Sequence, residues 1–448
     1  MASYRHPAAH HAAGSSGRSV YYLAMTAIAA MLVAACSSGT TTSGSSSSGS
    51  GSQAKGSVIN VGVVAPFTGA AAQFGILISA PCRAAVSAVN QAGGVLGHQL
   101  ACREIDDYGD PADAVPSLEK AFATTSNLDE AIGFESNTAA TTIPLVERQD
   151  IPFFTAAGLV SYDTQADPYF YRMSPSDDQN GAAYSVAANN LGYKRVAVIY
   201  ANDIGASGNI PGTVKAISNL HMTMTKNLVI PGDETSYSST VERVIASKPQ
   251  ALIFYADPQT SATFLANYSQ LTGGKLPPMI TASSNVAPDF FSALKKVVGT
   301  SYLTKDIYFV GQAVQSTLPA FTTFAAAMKA TGAPAATLGS GVISALYDGI
   351  NLMSLAMIEA NSTSGPVYNK DILALTQPQP GAVVVHSFAA GAAALKAGHK
   401  IQYVGTGGEI HFNANHNFVG GWGVEQLTAA GSPVQLSFIA GTKILSNA

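Results

Sequence analysis

The sequence predicts an α/β protein built on two mostly parallel sheets, and three observations carry that reading. Short β-branched runs alternate with helical stretches from Ser57 onward. This rhythm places helices on both faces of parallel sheets. The body also exceeds the roughly 100–200 residues of one ordinary domain, so two sheets are expected rather than one. Finally, 47% of the residues are hydrophobic and only 11% charged, ample apolar material for large cores.

Taken in order, VINVGVV (58–64) is a buried strand and 74–92 is helical. A strand at 98–105, a helix at 111–124 and a short strand at 130–133 follow. Next come a helix over 138–149 and a buried strand at 151–154. The alternation resumes with a strand at 195–200, a helix at 208–220 and a strand at 222–230. A helix at 237–247 and a strand at 250–255 continue it. A break is expected near Arg172 to Ser176, where a strand runs into Ser, Pro and Asp. Ligands of open α/β sheets bind beyond the carboxyl ends of the strands. The loops after Val64, Gly133, Phe154, Tyr200, Tyr255 and Ile280 are therefore the candidate site.

Composition narrows the function classes. With 23 Lys plus Arg against 27 Asp plus Glu, the net charge is −4. No basic excess is available to neutralise phosphates, so nucleic acid is not an expected partner. One apolar run, Val20 to Ala35, approaches membrane-spanning length, which excludes a polytopic membrane protein. Three cysteines are too few for a disulfide-dense scaffold or a Cys-based zinc module.

The first residues read as an address. Residues 1–19 carry Arg5 and Arg18 and no acid, the apolar run follows, and Cys36 comes next. A positive segment, a short apolar core and small residues at its end describe a secretory signal at 1–35. VAAC (33–36) resembles a bacterial lipobox, where the chain is cut before the cysteine and its thiol is acylated; an ordinary signal or a single anchor is the alternative. Residues 37–52 contain only Ser, Gly and Thr, and the stretch 36–56 is expected to act as a flexible tether. Its reach would be roughly 25 Å, holding a folded body just above a membrane. Removal of 1–35 leaves 21 basic and 27 acidic residues, for a charge of −6. Outside the cytoplasm a disulfide can persist, and Cys82 and Cys102 are the only remaining pair; two buried free thiols are the alternative.

Several stretches resemble the type I periplasmic binding proteins of the leucine/isoleucine/valine-binding family. They are VGVVAPFTGAAAQFG (61–75), AVNQAGGVLG (88–97), DDYGDPA (106–112), IGFESNT (132–138), IPFFTAA (151–157), RMSPSDDQNG (172–181) and GEIHFNANHNFVG (408–420). The resemblance implies two Rossmann-like lobes joined by three crossovers, with a solute held between them. Lobe 1 would comprise 57–175 plus 312–414, and lobe 2 would comprise 176–311 plus 415–448. Hinge closure around the solute is the expected motion.

By the same resemblance, Ser136, Asn137 and Thr138 fall where the family holds a ligand carboxylate at a helix start; simple helix capping is the alternative. Ala157 and Gly158 fall at backbone-contact positions, and Leu159 replaces a usual Thr. Phe74 matches a cleft aromatic, with a core position as the alternative. On lobe 2, Ile204 replaces a usual Tyr, Tyr255 matches an aromatic that stacks on the ligand, and Asp257 is a contact or a turn residue. Ser284, within Ser283 to Asn285, stands where amino-acid binders carry an acid for the α-ammonium. A buried ammonium without a carboxylate is costly, so an α-amino acid is not the expected ligand. Glu135 and Asp257 would substitute only with rearranged geometry. The shortage of charge in these loops favours a less polar or carboxylate-only solute.

Catalytic motifs are missing from the sequence: there is neither a Gly-x-Ser-x-Gly elbow nor a Walker A loop. His411 and His416 lack the i, i+4 spacing of a zinc helix. Asp106, Asp107 and Asp110 lack the later Glu of a calcium loop. The sequence therefore predicts a non-enzymatic, lipid-anchored solute receptor with no cofactor and no metal. It would be a monomer that delivers an amino-acid-like, amide or carboxylate solute to the permease subunits of an ABC transporter. A receptor module reporting to a separate signalling partner is the second reading.

Overall fold

The computed structural model describes residues 57–69, 72–286 and 288–448. The signal segment 1–35, the acylated Cys36 and the tether 36–56 lie outside the described residues.

The first half opens with β1 (Ile59–Ala65), α1 (Ala72–Gln91), β2 (Leu100–Asp106), α2 (Pro111–Thr124) and β3 (Leu128–Gly133). It continues through α3 (Ser136–Glu147), β4 (Phe153–Thr155) and β5 (Phe170–Arg172). These strands form an all-parallel sheet in the order β2-β1-β3-β4-β5. Every residue of β1 is buried, as a strand covered on both faces requires. Gly133 at the end of β3 has a φ of +109°, and a Cβ there would lie 2.1 Å from the Val64 carbonyl oxygen. Glycine is what lets β3 turn away so close to β1.

After Arg172 the chain enters a second core through α4 (Asp177–Asn190), β6 (Arg195–Ala201), α5 (Ile204–Ser207), α6 (Ile210–Asn219) and β7 (Thr223–Ile230). Then follow α7 (Ser238–Ala246), β8 (Ala251–Tyr255), α8 (Pro258–Thr272), β9 (Met279–Ala282), α9 (Pro288–Lys305) and β10 (Ile307–Gln312). The five strands repeat the first sheet's order as β7-β6-β8-β9-β10, all parallel.

The chain then returns to the first core with α10 (Pro319–Ala330), α11 (Gly341–Ala360), α12 (Gly365–Ala374), β11 (Val383–Val385), α13 (Phe388–Lys396), β12 (Ile401–Gly405) and β13 (Gly408–Glu409). β11, β12 and β13 make a small third sheet. It crosses back with β14 (Trp422–Leu427), β15 (Pro433–Ile439) and α14 (Gly441–Leu445); β14 extends the second sheet antiparallel to β10, and β15 pairs antiparallel with β14 at its edge. Helices α1 and α11 are long and apolar enough to cross a membrane by length and composition, yet α11 is buried along nearly its whole length. It is the central core helix of lobe 1, packed with α1 residues and Phe154 in one apolar cluster.

Two start points differ from the sequence expectation. α3 begins at Ser136 because the Glu135 carboxylate accepts from the Asn137 N–H and caps the helix. The helix expected over 208–220 is α6, which starts at Ile210 with Pro211 in its first turn, and the short α5, capped by Asp203, precedes it. A disulfide joins Cys82 on α1 to Cys102 on β2.

Candidate functional site

In a sheet of order 2-1-3-4-5 the strand order reverses between strands 1 and 3, opening a crevice at their carboxyl ends. This fold has two such points, one between β1 and β3 and the other between β6 and β8. A cavity of about 230 Å³ touches the loops at both. From lobe 1 it takes Pro66 after β1, Glu135 to Asn137 after β3, and Ala156 and Gly158 after β4. From lobe 2 it takes Asp203 after β6, Tyr255 at the end of β8, and Ala282 to Ser284 after β9. Five of the six loops singled out in the sequence contribute, and the sixth is represented only by Tyr255 before it. Phe74, Leu77 and Ile78 of α1, with Val342 and Ile343 of α11, give the cavity an apolar side.

Of the residues singled out in the sequence, Phe74, Ser136, Asn137, Gly158, Tyr255 and Ser284 line the cavity. Phe74 is 37% exposed rather than a core residue. The Tyr255 and Ser284 hydroxyls lie 2.9 Å apart and bond to each other. Five other residues lie outside the wall, each for a local reason. Thr138 is one step further round α3, buried, and donates its hydroxyl to Asp107 at 2.7 Å. Ala157 is fully buried in the lobe 1 core. The Leu159 side chain packs on that same core, while its carbonyl accepts from Arg172. Ile204 is 49% exposed on α5, outside the cavity. The Asp257 carboxylate caps α8, accepting from the Gln259 and Thr260 N–H groups at 2.8 and 2.9 Å.

The expected carboxylate cradle at the start of α3 is already engaged. The Asn137 N–H points at Glu135 Oε2, 2.9 Å away, and Ser136 Oγ accepts from the Gly158 N–H at 3.2 Å. A ligand carboxylate there would meet the protein's own carboxylate. The loops are also not short of charge, as Glu135, Asp177 and Asp203 all line the cavity. Among the described residues no Lys, Arg or His lines it.

Burial pushes the Glu135 carboxyl up to about 7. Asp107 and Asp203 add to the rise, while the Asn137 and Thr138 N–H groups oppose it. Asp177, at 4% exposure, is likewise raised to about 7 by burial; Arg172 opposes this and Asp163 and Asp178 reinforce it. Arg172 is itself engaged by Asp163, the Asn417 side chain and the Leu159 carbonyl. Glu135 enters the sequence reading only as a substitute acid with rearranged geometry, and Asp177, Asn209 and Gln312 have no cleft role in it. The first two lie in the quoted stretches 132–138 and 172–181, but nothing in a single sequence orients their side chains. Among the described residues no cluster of three or more His, Cys, Asp or Glu is arranged to hold a metal.

Comparisons with known proteins agree with this architecture. The profile of the periplasmic binding protein family matches residues 58–431. A Leu/Ile/Val-binding protein of Rhizobium johnstonii is 26% identical over 202 residues, covering 44% of this chain and 54% of that one. An amino acid binding protein of Pseudomonas aeruginosa is 27% identical over 200 residues, 43% of this chain and 52% of that one. The chain spans about half the length of these curated relatives. The leucine-binding protein LivK of Thermotoga maritima superposes with a TM-score of 0.67 at 17% identity, over 85% of this chain and 99% of that one. A solute-binding protein of R. palustris solved with 4-hydroxybenzoate gives 0.66 at 16% identity, over 86% and 97%. At those identities the likeness is one of fold. The chain belongs to the periplasmic binding protein family, in the type I, leucine/isoleucine/valine-binding branch.

Proposed function

We propose that this protein captures a small organic solute in the cavity between its two lobes and delivers it to an ABC-type importer, working from the outer face of a membrane through an acylated Cys36. The observation that carries the reading is the cavity's position: one space, walled by strand-end loops at the switch points of both sheets. A solute bound there touches both lobes, so binding couples to hinge closure. The closed form is what permease subunits would distinguish from the empty one. No catalysis is needed, since the work is done by differential binding to two lobe arrangements.

A thermal-shift screen of the purified protein against amines, amides, amino acids and carboxylates tests capture. At least one class should raise the melting temperature in a saturable way. No shift from any class would contradict the reading. Cys36→Ala should move the protein from the membrane fraction to the soluble one without changing its melting temperature, and continued membrane retention would contradict the anchor.

A further inference from the structure

Resting on the solute-receptor reading, we infer that the cavity selects a protonated amine with an apolar body, held at one end between Glu135 and Asp177, and offers no subsite for a ligand carboxylate. Four residues that line the cavity each carry a side-chain oxygen sealed from solvent without a hydrogen-bond partner: Glu135 Oε1, Asp177 Oδ2, Asn209 Oδ1 and Gln312 Oε1. Every one is an acceptor. A buried acceptor left unpaired carries its full desolvation cost, and two of these belong to carboxyl groups. An ammonium brings three donors and a positive charge, whereas a carboxylate would add acceptors to a space that already has too many.

Gly158 links the loop that carries Glu135 to Asp177. Its N–H donates to Ser136, next to Glu135, and its carbonyl accepts from the Asp177 N–H at 2.7 Å. A Cβ on Gly158 would lie 2.0 Å from Asp177 Oδ1. Asp177 is therefore a nine-tenths buried carboxylate fitted against a glycine, with one oxygen unmet. The nearest cation, Arg172, is engaged elsewhere. Asp203 adds negative potential but accepts from its own helix at Ala206. Away from the acids, the apolar side supplied by Phe74, Ile78 and Val342 suits a hydrocarbon body.

The test is calorimetric titration of the purified protein with three ligands of one skeleton: 3-methylbutylamine, 3-methylbutyrate and leucine. The amine should bind at least ten-fold more tightly than either of the others. Asp177→Asn and Glu135→Gln should each weaken the amine ten-fold or more. Wild-type protein gives a check that needs no variant. Amine affinity should rise from pH 6 to pH 8, because the ligand stays protonated while Glu135, facing Asp107 and Asp203, and Asp177, facing Arg172, Asp163 and Asp178, lose protons. Tighter binding of 3-methylbutyrate or leucine would overturn the amine assignment and leave solute capture standing. Binding by none of the three, together with no shift in the broader screen, would overturn capture itself.

Discussion

The two walls of the cavity are both polar, but they are polar in different ways. At the ends of β6, β8 and β9 the groups are already partnered: Tyr255 and Ser284 bond to each other, and Asp203 caps its own helix. Where α3 of lobe 1 faces α4 of lobe 2, bonding is unfinished. Glu135 uses one oxygen as a helix cap and leaves the other unmet, and Asp177 sets Oδ1 against Gly158 and leaves Oδ2, beside Gly208, unmet. Hydroxyls and acids that complete one another make a surface; acids that cannot complete themselves make a site. The lobe 1 side of the cavity is also braced, since α1 carries Phe74, Leu77 and Ile78 and is tied to β2 through Cys82 and Cys102.

The largest effect expected from breaking this contrast is on the brace. Cys82→Ser with Cys102→Ser opens a loop of sequence separation 20 and should lower stability by about 3 kcal/mol. Urea unfolding with and without reductant measures it, and an unchanged midpoint would refute the brace.

Glu135→Gln comes next, with the opposite sign. Glu135 titrates at about 7 when folded against 4.5 for an ordinary glutamate. Below the lower value both states are protonated and the residue is neutral toward folding. As pH rises from there to about 7, the unfolded chain gives up this proton first, so folding loses stability, and the full penalty persists above. Glu135→Gln should therefore stabilise the ligand-free protein at pH 8 by on the order of 3 kcal/mol and do little at pH 4. Melting curves at both pH values check the sign.

Gly158→Ala should cost about 2 kcal/mol, because its methyl must displace the Asp177 carboxylate from a packed slot; it should also abolish the amine preference. Ser284→Ala, on the finished wall, should cost only about 1 kcal/mol and change ligand affinity less than ten-fold. Equal losses of affinity from Ser284→Ala and Asp177→Asn would erase the distinction between the walls.

The sequence carried the strand–helix order and the loops of the site, because buried parallel strands announce themselves as apolar runs such as 58–64 and 151–154. Within each loop the reading was good only to a residue or two. Facing depends on where a helix starts, and a one-residue step turns a side chain by about 100°. That is why Ser136 and Asn137 line the cavity while Thr138 binds Asp107 inside the lobe. Glu135 was weighed only as a substitute requiring rearrangement, although it caps α3 and faces the cavity. Asp177 reaches the site from the helix after the first crossover, and Gln312 from the end of β10. Neither position is marked by periodicity, and both were legible only once the lobes were assembled.

On this proposal the ligand completes acids that burial keeps protonated near neutrality. Titrating 3-methylbutylamine into the protein at pH 7, in two buffers of different ionisation enthalpy, reads the protons exchanged on binding. Net proton release, vanishing in the Glu135→Gln, Asp177→Asn double variant, is the predicted result. Binding with proton uptake, or with no exchange at all, would contradict it.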